Sequence, residues 1–270
     1  VTEAAATAPL TLPATDPQSS FARSMHIVHR NFLVWRKLMW PSLVGNLADP
    51  LIYLVGLGYG LGAFVPEMAG MPYLHFLAAG MICYSTMNSA SFEALYSAYT
   101  RLAVQRTWEA ILHAPMTVRD IVIGEWLWAG LKSALSGMAI VLVMYALSIV
   151  KGLQPLAVLP IALLVGLAFA GIALVITSLA KSYDFFVYYF TLLITPMMLV
   201  SGVFFPIDQL PAAVRGVATF LPLVHGTELA RGMALGTPIV RPVLNVLVLS
   251  AYGIVGVMLA VRLAQRRLSR

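Results

Sequence analysis

Charge is scarce in this chain. Only 10% of its 270 residues are Asp, Glu, Lys or Arg, against about 25% in an ordinary soluble domain. Apolar residues make up 60%, and mean hydropathy is +0.86. A soluble fold of this length has too little interior to hide that much apolar side chain, so part of its solvent must be lipid. This excludes a soluble enzyme, a DNA-binding domain and a secreted disulfide scaffold. Cysteine is nearly absent: with Cys83 alone, an intrachain disulfide and a Cys-based zinc site are excluded. Catalytic signatures are missing as well. Lys132 and Lys181 each precede a serine, but neither follows a glycine, so there is no GxxxxGK[ST]. HExxH, GxSxG and CxxC are also lacking. No catalytic residue and no metal site is therefore expected. The net charge of +6 and pI near 9.6 would point to nucleic acid in a soluble chain. Here the basic residues flank apolar segments, as membrane topology requires, and no nucleic-acid partner is expected.

What is present is a set of long apolar stretches. Residues 1–20 are rich in Ala, Thr and Pro without a periodic apolar face, and read as a disordered tail. No basic region precedes a short apolar core there, so they do not resemble a signal peptide. In 21–40, Phe21, Met25, Val28, Phe32, Trp35 and Met39 recur at a 4-3-4-3-4 spacing, with Arg23, Arg30 and Lys37 opposite. That pattern predicts an amphipathic helix lying in the membrane interface. The remainder, 41–270, reads as one membrane domain. Six apolar stretches follow, at 43–65, 73–98, 121–150, 155–180, 184–205 and 243–263. Each is long enough to cross a bilayer core, which takes about 20 helical residues. Glu93, Glu125 and Lys132 interrupt the second and third, and Pro155 and Pro160 crowd the start of the fourth.

The basic residues orient this arrangement. Arg23, Arg30, Arg36, Lys37, Arg101, Arg106, Arg119, Lys181, Arg262, Arg266, Arg267 and Arg270 fall on one side, against Lys151, Arg215, Arg231 and Arg241 on the other. The richer side is cytoplasmic, which places both termini inside. The inner loop 99–120 is helical in pattern: Arg106, Glu109 and His113 share one face, and Val104, Trp108 and Ile111 another. Pro115 ends it, and Thr117 with Asp120 forms a capping pair for the next span. The outer stretch 206–242 is broken by five prolines into pieces too short to span, so re-entrant or interfacial helices are expected.

Each polar residue inside an apolar stretch has two readings. Glu93 is either a pathway carboxylate or part of a structural ion pair; Glu125 and Lys132 lie two turns apart on one face. Asp49 before Pro50 reads as a cap at the start of the first span. Glu228 and Arg231 form an i,i+3 pair, and His225 is a helix-start residue or a functional one. YDFFVYYF at 183–190 holds six aromatics, either an interfacial belt or a stacking platform for sugar rings. Gly58, Gly60 and Ala63 fit a loose GxGxx[GA], but inside an apolar stretch. There the glycines at 56, 58, 60 and 62 read as overlapping GxxxG pairs for close helix approach, and Ala162, Gly166 and Ala170 repeat the theme.

The stretches GNLADPLIY (45–53), GLGYGLG (56–62), FLAAGM (76–81), QRTWEAIL (105–112), GE (124–125), SGVFFPIDQLP (201–211) and LPLVHGTELAR (221–231) resemble those of ABC-2-type transporter permeases, and among them the NodJ-type lipo-oligosaccharide export permeases. The resemblance implies an all-α polytopic fold of the type V exporter kind: six membrane helices, an N-terminal interfacial helix and short re-entrant outer helices. It implies a bacterial inner-membrane protein working as a pair of copies with two copies of a NodI-like ABC ATPase. ATP and Mg²⁺ would be held on that ATPase, with no cofactor on this chain. Residues 101–114 would be the coupling helix, with Arg106, Trp108, Glu109 and His113 meeting the ATPase. Glu93, Tyr188 and Tyr189 would lie along the path of an amphipathic glycolipid. A drug exporter of the same architecture is the alternative, and a glycolipid-modifying membrane enzyme a more remote one. An ion-coupled transporter would show inverted halves, which this sequence lacks.

Overall fold

The computed structural model describes residues 19–269; the expected tail at 1–20 lies almost wholly outside them. The architecture is helical: α1 (Ser20–Arg36), α2 (Met39–Gly60), α3 (Tyr73–Phe92), α4 (Thr107–Leu112), α5 (Val118–Ala146), α6 (Leu159–Leu179), α7 (Phe185–Tyr188), α8 (Thr195–Val200), α9 (Ala212–Ala218), α10 (Pro222–Leu235) and α11 (Pro242–Leu268). A two-residue hairpin, Glu67–Met68 with Met71–Pro72, joins α2 to α3. Its turn, Ala69-Gly70, takes positive φ at both residues, the conformation a tight hairpin needs.

Each of the six apolar stretches is mainly helical, although 147–150 and 201–205 are turns and bends. Among the described residues, three helical segments are long and apolar enough to cross a membrane alone: Val118–Ala146, Gln154–Leu179 and Pro242–Leu268. The stretch at α2 qualifies together with α1, as a pair bent by 85°. The helix of α3 runs on without a break through two π-helical pieces, Glu93–Ser97 and Thr100–Val104, and a third, Tyr189–Ile194, links α7 to α8. Inserted π turns of this kind re-aim side chains and concentrate at functional sites.

α3 forms the centre, with nearly every side chain from Phe76 to Met87 buried, enclosed by α2, α5, α6 and α10. Lipid gives apolar helices no reason to associate, so close backbone approach carries the packing. A Cβ on Gly256 of α11 would sit 2.6 Å from the Gly171 carbonyl carbon of α6, and one on Gly80 would sit 2.7 Å from the Val203 carbonyl oxygen. The expected glycine row at 56–62 contributes less. A Cβ on Gly58 would meet Leu74 at 2.5 Å, while Gly56 and Gly60 face open space. Gly166 does meet Gly130 and Ser133 of α5, as its small-residue spacing implied.

α1 packs on α5 through Ser24, Ile27 and Asn31, and through Phe32 and Trp35 of its apolar stripe, whose rings meet Trp128 edge-on at 6.3 and 5.9 Å. The start of the stripe is left on the flank, with Phe21 64% exposed. In the outer stretch, α9 and α10 are 7 and 14 residues long, too short to span. α10 starts with Pro222 at its first turn and stops at Gly236 in the left-handed region, the usual pairing of start and stop residues. His225 is a buried tie: its ring bridges Asn245 Oδ1 at 2.7 Å and the Thr219 carbonyl at 2.9 Å. Glu228 and Arg231 do not pair with each other. Glu228 accepts from the Val240 amide, and Arg231 lies over the Phe76 ring at 3.7 Å while donating to the Gly202 carbonyl.

Candidate functional site

The charged residues that interrupted the second and third apolar stretches meet at one place. Arg101, on the π-helical end of α3, donates to both Glu125 oxygens, at 2.8 and 2.5 Å, and to Glu93 at 2.9 Å. Lys132 reaches Glu93 at 2.7 Å and the Trp128 indole N–H adds a bond at 3.0 Å. Asn31 of α1 donates to Glu125 at 3.0 Å. Two carboxylates and two cations thus cancel inside the bundle. A buried charge persists only when it is paired and bonded in this way. Glu93 is buried in the network and accepts from four side chains, Ser97 and Arg101 on the π-helical end of α3 and Trp128 and Lys132 on α5, which is the structural ion pair of the two sequence readings. Arg101 had counted only as a cytoplasmic loop cation. Its partners lie eight and twenty-four residues away, outside the i,i+3 and i,i+4 pairs visible on a helix.

Directly below this network the chain changes direction. The coupling helix expected over 101–114 is broken: Gln105 leaves it, and Arg106 takes the left-handed conformation at φ 49° before α4 begins. α4 buries Trp108, 1% exposed, against the bundle and turns Arg106, Glu109 and His113 outward. Val104, expected on the Trp108 face, is exposed, because the break at 105–106 separates the two residues' helices. Beyond α4 the anticipated capping box is present: Thr117 Oγ1 accepts from the Asp120 amide, and Asp120 accepts from the Thr117 amide. Asp120 also takes Arg23 at 2.8 Å and the Ser20 hydroxyl, which ties α1 to the start of α5. α4 is therefore an exposed polar knob on a rigid base.

The six aromatics at 183–190 separate by depth. Phe186 and Tyr189 are buried, and the Tyr189 hydroxyl bonds the Ser91 hydroxyl at 3.0 Å. Tyr188 points outward at 62% exposed, so the two tyrosines anticipated on one path face in different directions. α3 contributes aromatics that the sequence did not single out. Phe92 stacks on Tyr96 at 5.4 Å, and Tyr96 on Tyr183 at 6.1 Å with only 11° between the rings. Arg267 at the end of α11 donates to the Thr177, Ser178 and Ala180 carbonyls, capping the C-terminus of α6. Among the described residues no cluster of three or more metal-binding side chains occurs.

The sequence profile of the ABC-2 type transporter family matches residues 24–235. The chain belongs to this family. As an ABC-2 permease it is a membrane-spanning subunit of a transporter rather than an enzyme, and ABC-2 permeases work with an ABC ATPase partner. Among its relatives, Nodulation protein J of Rhizobium leguminosarum bv. viciae is 48% identical over 241 residues, covering 89% of this chain and 93% of that protein. Nodulation protein J of Rhizobium meliloti (strain 1021) is 46% identical over 88% of this chain and 91% of its own length. The inner membrane transport permease YadH of Escherichia coli (strain K12) is 23% identical over 73% of this chain and 75% of its own.

Proposed function

We propose that this permease is the membrane half of an ATP-driven exporter that moves an amphipathic, lipid-linked oligosaccharide from the inner to the outer leaflet of a bacterial inner membrane. The assembly is two copies of this chain with two copies of a NodI-like ATPase that holds ATP and Mg²⁺. Each copy crosses the bilayer six times, at α2, α3, α5, α6, α7–α8 and α11, with both termini cytoplasmic. α1 lies in the inner interface, its flanking apolar stripe against lipid. α9 and α10 shield the exit.

The observation that carries this reading is α4. It is a short helix anchored by a buried Trp108, and it leaves Arg106, Glu109 and His113 exposed. The chain has no phosphate-binding loop of its own, so energy has to enter through such a contact. The Arg101 network then carries motion of α4 to α3 and α5, away from the resting arrangement of the bundle. The relatives at 46–48% identity over most of the chain support the oligosaccharide substrate. So do the apolar central parts of α6 and α8, which suit an acyl chain and offer little to a hydrated ion. Reconstitution with the ATPase in liposomes tests it. Acylated oligosaccharides are expected to stimulate hydrolysis. Stimulation by small hydrophobic drugs alone would put drug export in its place.

A further inference from the structure

Asp49 is the misplaced residue of the sequence reading. It does not cap α2, which begins at Met39; it sits at the midpoint of that helix, next to the internal Pro50. Its side chain is exposed on the face of this chain, and no Lys, Arg or His among the described residues forms an ion pair with it. An aspartate at mid-membrane facing acyl chains is costly, so this face of α2 borders a polar space. The carboxylate is held in place. Tyr84 of α3 donates to Asp49 Oδ2 at 2.7 Å, and Asn88, one turn on, lies in the same cleft wall. The second oxygen, Oδ1, has no protein donor among the described residues. Beside it lies a cleft of about 60 Å³ lined by Asp49, Ser85, Asn88, Ser89 and Phe92. That volume accepts a hydroxyl or hydroxymethyl group but not a whole sugar ring.

The ring has a place next to it. Phe92, 48% exposed, borders the cleft, and the stacked Phe92–Tyr96–Tyr183 series continues from it along α3 to the Lys181 end of the bundle. A flat aromatic face beside a carboxylate with a free lone pair is what a sugar ring asks for: apolar C–H groups on one side, O–H donors at the edge. We infer that Asp49, oriented by Tyr84, accepts a hydrogen bond from a hydroxyl of the transported saccharide while Phe92 stacks on its ring. Selection for sugar over other lipid headgroups then arises at mid-membrane. This rests on the exporter function proposed above.

The test uses permease and ATPase together in proteoliposomes. The readout is the concentration of probe giving half-maximal stimulation of hydrolysis. The probes are an acylated oligosaccharide and the same acyl chain on phosphocholine, which has no hydroxyl donors. For Asp49→Asn and Tyr84→Phe the acylated oligosaccharide is expected to need about tenfold higher concentration, the loss of one hydrogen bond to a charged group. The phosphocholine probe is expected to act as on wild type. Leu142→Ala, on the exposed side of α5, should match wild type with both. An unchanged half-maximal concentration in both variants overturns the inference. So does an equal loss with both probes, which would mark Asp49 as a packing contact with the second copy. A wild-type complex deaf to acylated oligosaccharides overturns the exporter reading itself.

Discussion

Replacing Arg101 by Met exposes how far the bundle depends on its buried charges. Glu125 would lose two charge-assisted bonds, at 2.8 and 2.5 Å, and keep one neutral donor, Asn31. Each such bond contributes about 1.5–3 kcal/mol, and removing one partner of a buried pair costs about 3–5 kcal/mol. Glu93 is spared most of this, because Lys132 still reaches it at 2.7 Å. The expected loss is therefore about 3–5 kcal/mol, assigned chiefly to Glu125. For a chain of this size it lowers the melting temperature by roughly 6–20 °C. Arg101→Lys keeps the charge but loses the planar fork, and is expected to fall between wild type and Met. The decisive comparison is the cycle with Glu125→Gln. With both charges gone nothing is left unpaired, so the double variant should be more stable than Arg101→Met alone, a coupling of about 1–3 kcal/mol. Melting of the purified permease in detergent reads all four proteins. Additive single effects, or a shift under 2 °C for Arg101→Met, would refute the account of the network.

Further outcomes follow from the same contacts. Glu109→Arg should melt like wild type, since the side chain is exposed, yet co-purify less ATPase or uncouple hydrolysis from transport. Trp108→Ala should lose about 3–5 kcal/mol through the cavity it leaves, read as reduced accumulation and a lower melting temperature. Gly256→Val should part α6 from α11, because a Cβ there meets Gly171 at 2.6 Å, at a cost of about 1–3 kcal/mol or more. Cysteine placed at Gln209 should react with a membrane-impermeant reagent from outside and cysteine at Gln265 should not. Buried Cys83 supplies little background, and the opposite pattern would invert the topology.

The helices were legible because lipid demands long apolar stretches and leaves no alternative to helix. The Thr117–Asp120 cap was legible from spacing and type, whereas Trp108, expected among the residues meeting the ATPase, is turned into the bundle at 1% exposed. The π turns were not legible, since an extra residue in a helix leaves no mark in composition; with them went Arg101 as the hub of Glu93 and Glu125. Asp49 was misread because Asp-Pro is a frequent helix start, whereas here α2 runs straight through Pro50. The aromatics of 183–190 were visible as a group. Which of them line a surface depends on their rotation about a π-helical segment, and so Tyr188 and Tyr189 diverge while Phe92 and Tyr96, from another helix, complete the stack.

Uptake of a labelled acylated oligosaccharide by inside-out proteoliposomes tests the central claim most directly. Accumulation is expected only with ATP, the ATPase and this permease together, and it should fall when Glu109 becomes Arg. Uptake without the ATPase, driven by an ion gradient alone, or no uptake when hydrolysis is intact, would contradict it.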